Sequence, residues 1–324
     1  MPFMQRRLFL GAGALAATAP HAARAQAWPA KSVRFIVPFP PGGGTDTVGR
    51  IVADHLGKML GQTFLIDNKG GAGGTVGTIE LARAPRDGYT IGMITVGSHG
   101  IHPTLYANLQ FDPYKDFTPI SLFASLPNLL ALHPSVPATN VAELIALAKQ
   151  SPGKYSFASS GAGTSLHLSG EMFKQMAGVD MLHVPYKGGG PALIDLVSGQ
   201  VNMIFGNAPS TLPLVRDGKL RGIAVTSPQR SASMPDVPAI AETIPGYAAT
   251  SWYGLAGPAG IPQAVVDRLE AALREILVMP DVLKRYAELG TDVPPLGRAY
   301  LEKFFPEEIA RWAPVVRASG ARVE

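Results

Sequence analysis

Val33-Arg34-Phe35-Ile36-Val37-Pro38-Phe39-Pro40-Pro41-Gly42-Gly43-Gly44-Thr45-Asp46 is the stretch whose reading decides the fold. Val33 to Val37 is a short apolar run of the buried-strand type. A Pro–Gly loop follows, and Asp46 opens a helix in which Val48, Ile51, Val52, Leu56 and Met59 form one apolar stripe. Outward from this unit, Phe64-Leu65-Ile66 reads as a strand, Lys69-Gly70-Gly71 as a turn, and the chain through Leu81 as a second helix. Tyr89 to Val96 is a third strand. This alternation predicts an α/β protein with a parallel sheet covered by helices.

The same order recurs further along. Tyr155-Ser156-Phe157-Ala158 is a strand, Gly161-Ala162-Gly163-Thr164 its loop, and Ser165 to Ala177 a helix. Met181 to Val184 leads through Lys187-Gly188-Gly189 to a helix containing Leu193 and Val197, then to the strand Val201 to Phe205. Thr45 and Thr164 stand 119 positions apart, and Lys69 and Lys187 stand 118 apart. Two landmarks in register, with one element order, predict two similar lobes.

The rest of the chain forms no third lobe. After a Gly/Pro-rich connection, Gly254 to Pro262, a helix starts at Pro262 with Val265, Val266, Leu269, Leu273, Ile276 and Leu277 inward. A second helix, Val282 to Leu289, stops at Gly290. A last one spans about Leu301 to Val316, broken or kinked at Pro306. This tail is expected to pack on the first lobe. The expected organisation is an export signal over 1–25, a first lobe over 26–127 plus 252–324, and a second lobe over 128–251.

Composition narrows the function. The 324 residues are 46% hydrophobic and 16% charged, which fits a folded protein with a large core. There is no cysteine, so disulfides, thiolate zinc sites and cysteine nucleophiles are excluded. Arg6-Arg7, the apolar run Leu8 to Ala19 and Ala23-Arg24-Ala25 form an export signal, of either the twin-arginine or the ordinary secretory kind. Cleavage after Ala25 removes three arginines and no acid from a net charge of +4, leaving +1. That balance offers nothing to nucleic acid or to an anionic membrane, and no later run is long enough to insert in a bilayer.

Ligands of open parallel sheets bind outside the carboxyl ends of the strands. Both glycine loops fall there, each just before a helix whose first N–H groups and positive dipole end favour an anion. Two facing lobes would bring both seats to one cleft, where a molecule with two carboxylates could bridge them. The candidate ligand-binding residues are Phe39, Pro41, Gly42, Gly43, Gly44 and Thr45 in the first loop, and Ser159, Gly161, Ala162, Gly163, Thr164 and Ser165 in the second. Ser98 and His99, after the third strand, are expected to line the cleft floor, and Trp252-Tyr253 is a candidate wall. Asp46 reads as an N-cap turned into its own helix. The simpler alternative is that the glycines make tight turns and the hydroxyls cap helices.

Catalytic signatures do not assemble. The glycines of Gly71 to Gly77 miss the dinucleotide spacing, and no P-loop or Gly-x-Ser-x-Gly elbow is present. His99 and His102 lack a carboxylate that would complete a metal set. No catalytic residue, metal or cofactor is therefore assigned.

Four blocks carry a family resemblance: Pro38 to Asp46, Ser159 to Leu168, His183 to Gly188, and Trp252-Tyr253-Gly254 with Gly257 to Pro262. In order and spacing the chain resembles the solute-binding proteins of tripartite tricarboxylate transporters, the Bug family. The resemblance implies a periplasmic-binding-protein type II fold, two Rossmann-like lobes joined by a hinge. It implies a monomeric periplasmic receptor that captures a di- or tricarboxylate or an aromatic acid and passes it to membrane permease subunits. The carboxylate would be held by backbone N–H groups, hydroxyls and water rather than by arginine. Asn207 stands where relatives often carry an acid, which argues against an amino-acid ligand. Asn207, Ala208 and Ser210 are expected at the ligand's distal end. Presentation to a sensor domain is a role the resemblance leaves open. A secreted α/β enzyme acting on a carboxylate is the alternative of a different class.

Overall fold

The expected alternation is present over residues 28–321, the part of the chain described by the computed structural model; the export signal lies outside it. Strand β1 (Val33–Val37) feeds α1 (Gly44–Leu60), β2 (Phe64–Asn68) feeds α2 (Thr75–Ala82), and β3 (Thr90–Thr95) runs through a π-helical turn, Gly97–Ile101, into α3 (His102–Leu105). The long strand β4 (Phe117–Leu132) and α4 (Val141–Gln150) follow. The pattern then repeats: β5 (Ser156–Ser159), α5 (Ser165–Ala177), β6 (Leu182–Pro185), α6 (Gly189–Val197), β7 (Met203–Asn207), α7 (Ala208–Arg216) and β8 (Arg221–Val225). Strand β9 (Thr250–Pro258) leads to α8 (Gln263–Ile276), α9 (Pro280–Glu288) and α10 (Arg298–Ser319).

The strands pair in two sheets of one design. The first is ordered β2-β1-β3-β9-β4 and the second β6-β5-β7-β4-β8. In each, three parallel strands are followed by an antiparallel visitor and a fourth strand. Strand β4 belongs to both: Phe117 to Pro127 pairs with β9, and Asn128 to Leu132 pairs with β7 and β8. The chain therefore folds as two α/β lobes that share β4.

Thr226 stitches the two crossing segments together. Its N–H donates to the Asn128 carbonyl and its hydroxyl accepts from the Asn128 N–H at 2.8 Å. The same hydroxyl donates to the Ala249 carbonyl at 2.5 Å, and the Ala249 N–H donates back to the Thr226 carbonyl. Thr226 is fully buried, so each of these bonds replaces water that cannot reach it.

Helix α8 buries Val265, Val266, Leu269, Leu273 and Ile276 as its spacing predicts, against α1. The expected break at Pro306 does not occur: α10 runs through Pro306 and Pro314 as one helix. Both prolines sit on its exposed face, where water can satisfy the carbonyls they leave unpaired, while Leu301, Phe305, Trp312 and Val316 anchor the buried face. Helix α10 also reaches further than expected. It packs on the π-helical turn and α3 of the first lobe and on α5 of the second. One apolar core, containing Ile94, Trp252, Phe157, Phe205 and Trp312, runs through both lobes beneath it.

Candidate functional site

The loop after β1 climbs from buried Phe39 to exposed Pro41 and Gly42 at the rim, then returns through buried Gly43, Gly44 and Thr45. Gly42 has φ +86°, which glycine adopts without strain. The helix begins earlier than its sequence suggests. Gly43 is the N-cap, with no side chain to bond the first N–H groups, and Asp46 is the third helical residue. Asp46 reaches back to accept from the Gly42 N–H at 3.1 Å and also holds Arg50 and Asn68. Burial pushes its carboxyl up, but the bonds from Arg50, Gly42 and Asn68 outweigh it and hold the group below the usual carboxylate range. The N–H groups of Gly44 and Thr45 have no intrahelical acceptor and no cap.

The loop after β5 is tied differently. Gly161 and Gly163 have φ +123° and +74°. Thr164 is the N-cap, its hydroxyl accepting from the His167 N–H and donating to the Gly161 carbonyl at 2.7 Å. The Gly161 N–H donates to the Ser159 hydroxyl, which shares a 2.7 Å bond with His183 Nε2. The Gly163 N–H donates to His167 Nδ1 at 3.2 Å. The two imidazoles stack 4.0 Å apart, and His183 stacks in turn on Phe157. Burial, aided by Lys174, pushes His167 down to about 4; burial, His167 and Lys174 push His183 down to about 3. Both are neutral, as an acceptor Nδ1 requires.

The repeated landmarks meet crosswise between the lobes. The first-lobe loop lies against the second lobe's Gly188-Gly189-Gly190: a Cβ on Gly43 would stand 3.5 Å from the Gly189 nitrogen. The second-lobe loop lies against the first lobe's Gly73: a Cβ on Gly161 would stand 3.2 Å from its Cα. The contact at Gly43 is an ordinary one, but a Cβ on Gly190 would collide with the Pro41 carbonyl and one on Gly73 with the Ala162 carbonyl, which is the physical need for glycine on both sides of the seam. At the α1 end, a Cβ on Gly44 would stand 2.7 Å from Asn207 Cβ and 3.1 Å from the Tyr253 hydroxyl. At the other end, a Cβ on Gly163 would stand 3.2 Å from His102 Nε2, an atom with no hydrogen-bond partner among the described residues.

Most of the sequence-selected residues thus lie along this seam: Gly42 to Gly44, the Ser159 to Ser165 loop, and Asn207. Phe39 backs it, its ring against Gly74. Three of the selected residues are placed differently. Ser98 spends its hydroxyl on the Thr95 backbone and on His99 Nδ1. His99 turns into the first-lobe core, fully buried with ring centroids 4.9 Å from Phe117 and 5.3 Å from Phe305. Ala208 packs its methyl toward Gly290 of the C-terminal segment. From the turn after β3 it is His102, not His99, that faces the second lobe. The sequence held no signal for this choice, because a π-helical turn changes which side each residue faces. Neither glycine loop contains Lys or Arg, and the nearby Arg50 is spent on Asp46.

Comparison with known proteins gives this geometry its context. BugT of Bordetella pertussis is 34% identical over 322 residues, covering 98% of this chain and 99% of that protein. Among solved structures, R. palustris Rpa4515 with adipate is 37% identical with a TM-score of 0.88, covering 91% of this chain and all of that one. MatC of Rhodopseudomonas palustris with bound malate is 34% identical with a TM-score of 0.84, covering 89% of this chain and all of that one. Both of these structures hold a dicarboxylate, adipate in one and malate in the other. Residues 48–321 match the family described as tripartite tricarboxylate transporter family receptor, and the chain belongs to that family of periplasmic solute-binding proteins.

Proposed function

We propose that this receptor closes its lobes on a small di- or tricarboxylate or aromatic acid and presents it to the permease subunits of a tripartite transporter. One observation carries the reading. Two helix N-termini, each opened by glycines and one from each lobe, face the same seam, and neither loop holds a cation. Backbone N–H groups at a helix start hold a carboxylate without burying an unpaired charge. The adipate and malate of the two neighbours are both dicarboxylates, which suits two seats at a fixed separation. On this reading the first lobe is 26–127 plus 252–324, the second is 128–251, and the exported chain acts as a monomer in the periplasm.

The test is thermal unfolding of residues 26–324 with succinate, malate, citrate, adipate, nicotinate, phosphate and glucose, before and after refolding to strip any bound ligand. A carboxylate at 100 times its Kd stabilises by about 2.7 kcal/mol, which raises the midpoint by about 2–4 °C per kcal/mol. A shift with carboxylates alone is expected. A refolded protein that responds to none of them sinks the carboxylate reading.

A further inference from the structure

Tyr253 lies in β9, paired with Thr95 on one side and Ala124 on the other. Its ring belongs to the first-lobe core and the residue is 1% exposed. Only the hydroxyl leaves that core, ending beside the first residue of α1. It has no hydrogen-bond partner among the described residues. A buried hydroxyl without a partner is costly, and native proteins rarely leave one. Burial pushes its pKa up, so it stays a neutral O–H group.

Asn207 faces the same point from the second lobe. Its Nδ2 donates to Asn128 Oδ1 at 2.8 Å, and Asn128 Nδ2 donates to the Ser169 hydroxyl at 3.0 Å. Asn128 is fully buried, so this relay fixes the Asn207 amide with its nitrogen turned away and Oδ1 as the free group. The Tyr253 hydroxyl and Asn207 Cγ lie 3.1 and 3.4 Å from the point that a Gly44 Cβ would occupy. The Tyr253 hydroxyl and the Asn207 amide, one from each lobe, therefore converge at the uncapped start of α1, and with Nδ2 spent on Asn128 the amide offers Oδ1 as its acceptor.

We propose that Tyr253 and Asn207 read a hydroxyl group beside the carboxylate seated on α1, so that this receptor selects hydroxycarboxylates over their deoxy counterparts. A ligand hydroxyl accepts from Tyr253 and donates to Asn207 Oδ1 at once. A methylene leaves both unpaired, and a second carboxylate oxygen meets the Oδ1 lone pairs. The inference rests on the carboxylate reading above and narrows it.

Calorimetric titration of the chain with succinate against malate, and with tricarballylate against citrate, tests it. The native protein is expected to favour the hydroxylated member of at least one pair by on the order of tenfold or more. In Tyr253→Phe that ratio falls to within about threefold of one. The ratio is the readout, because a general packing defect would weaken both members alike. Ligand-free Tyr253→Phe should melt no lower than the native chain, since the lost hydroxyl bonds nothing. Binding of these acids with no hydroxyl preference, or a preference untouched by Tyr253→Phe, overturns this inference alone. Failure of all four acids to bind, where adipate or nicotinate does bind, overturns this inference alone; failure of those two as well overturns it together with the carboxylate reading.

Discussion

The two glycine loops occupy equivalent places in equivalent lobes, yet they are built by opposite means. The first-lobe loop is held more sparsely: Gly43 caps nothing, Asp46 reaches back to steady Gly42, and Thr47 and Asn68 bond only the carbonyls of Gly43 and Phe39. The second-lobe loop is tied at every turn, by Ser159, Thr164, His167 and His183. A sparsely held loop owes its shape to the absence of side chains, whereas a tied one owes it to hydrogen bonds that titration can break. The first should fail on added bulk and the second on added protons.

The largest effect expected from this contrast is steric. Gly44→Val sets carbon against Asn207 only when the lobes meet, so ligand affinity should fall on the order of a thousandfold, about 4 kcal/mol. The ligand-free melting temperature should fall far less, because with the lobes apart the added carbons meet only the Tyr253 hydroxyl, 3.1 Å from the Cβ position. Equal affinity in the variant would show that the lobes need not meet this closely.

Acid should separate the loops next. His167 is held down to about 4 from an ordinary value of 6.5. The unfolded chain then takes up a proton that the fold refuses, so stability is lost as pH falls from about 6.5 toward 4. At 1.36 kcal/mol per unit, the loss for this histidine is on the order of 3 kcal/mol. His99, His102 and His183 are depressed as well and steepen the same fall. Urea unfolding of native and His167→Gln chains at pH 7 and pH 5 checks this: the variant should lose less on acidification. Identical losses would mean that the His167 ring does not order the loop as a neutral acceptor.

The smallest effect compares single ties. Thr164→Ala removes an N-cap and should cost about 1 kcal/mol in unfolding free energy. Asp46→Asn keeps an acceptor for Gly42 and should cost less. The reverse order would mean that the first loop leans on Asp46 more than its geometry implies.

Much of the fold was legible because its signals are local. Gly42-Gly43-Gly44 and Gly161-Ala162-Gly163 mark loop-to-helix turns on their own, and the α8 stripe declares its buried face without a partner. Strand β4 escaped the sequence reading for three reasons. Its 16 residues are buried on both faces for most of their length, so no alternation appears. Pro119 and Pro127 argue against a strand. Its register also slips twice against β9. The site was legible as loops but not as a seam. Which loop faces which depends on how the lobes meet, and the roles of Asn128 and Tyr253 depend on neighbours about eighty and two hundred residues away.

The Thr226 stitch bears on how this molecule moves. Two separate strands between lobes could slide past each other, twist, or bend. Paired directly through Leu126–Ser251 and Pro127–Thr250 and fastened again by Thr226 just beyond, they form a narrow ribbon that resists shear and torsion but still flexes across its thin dimension. On the proposed function, lobe closure must bend this ribbon together with α10, which packs on both lobes.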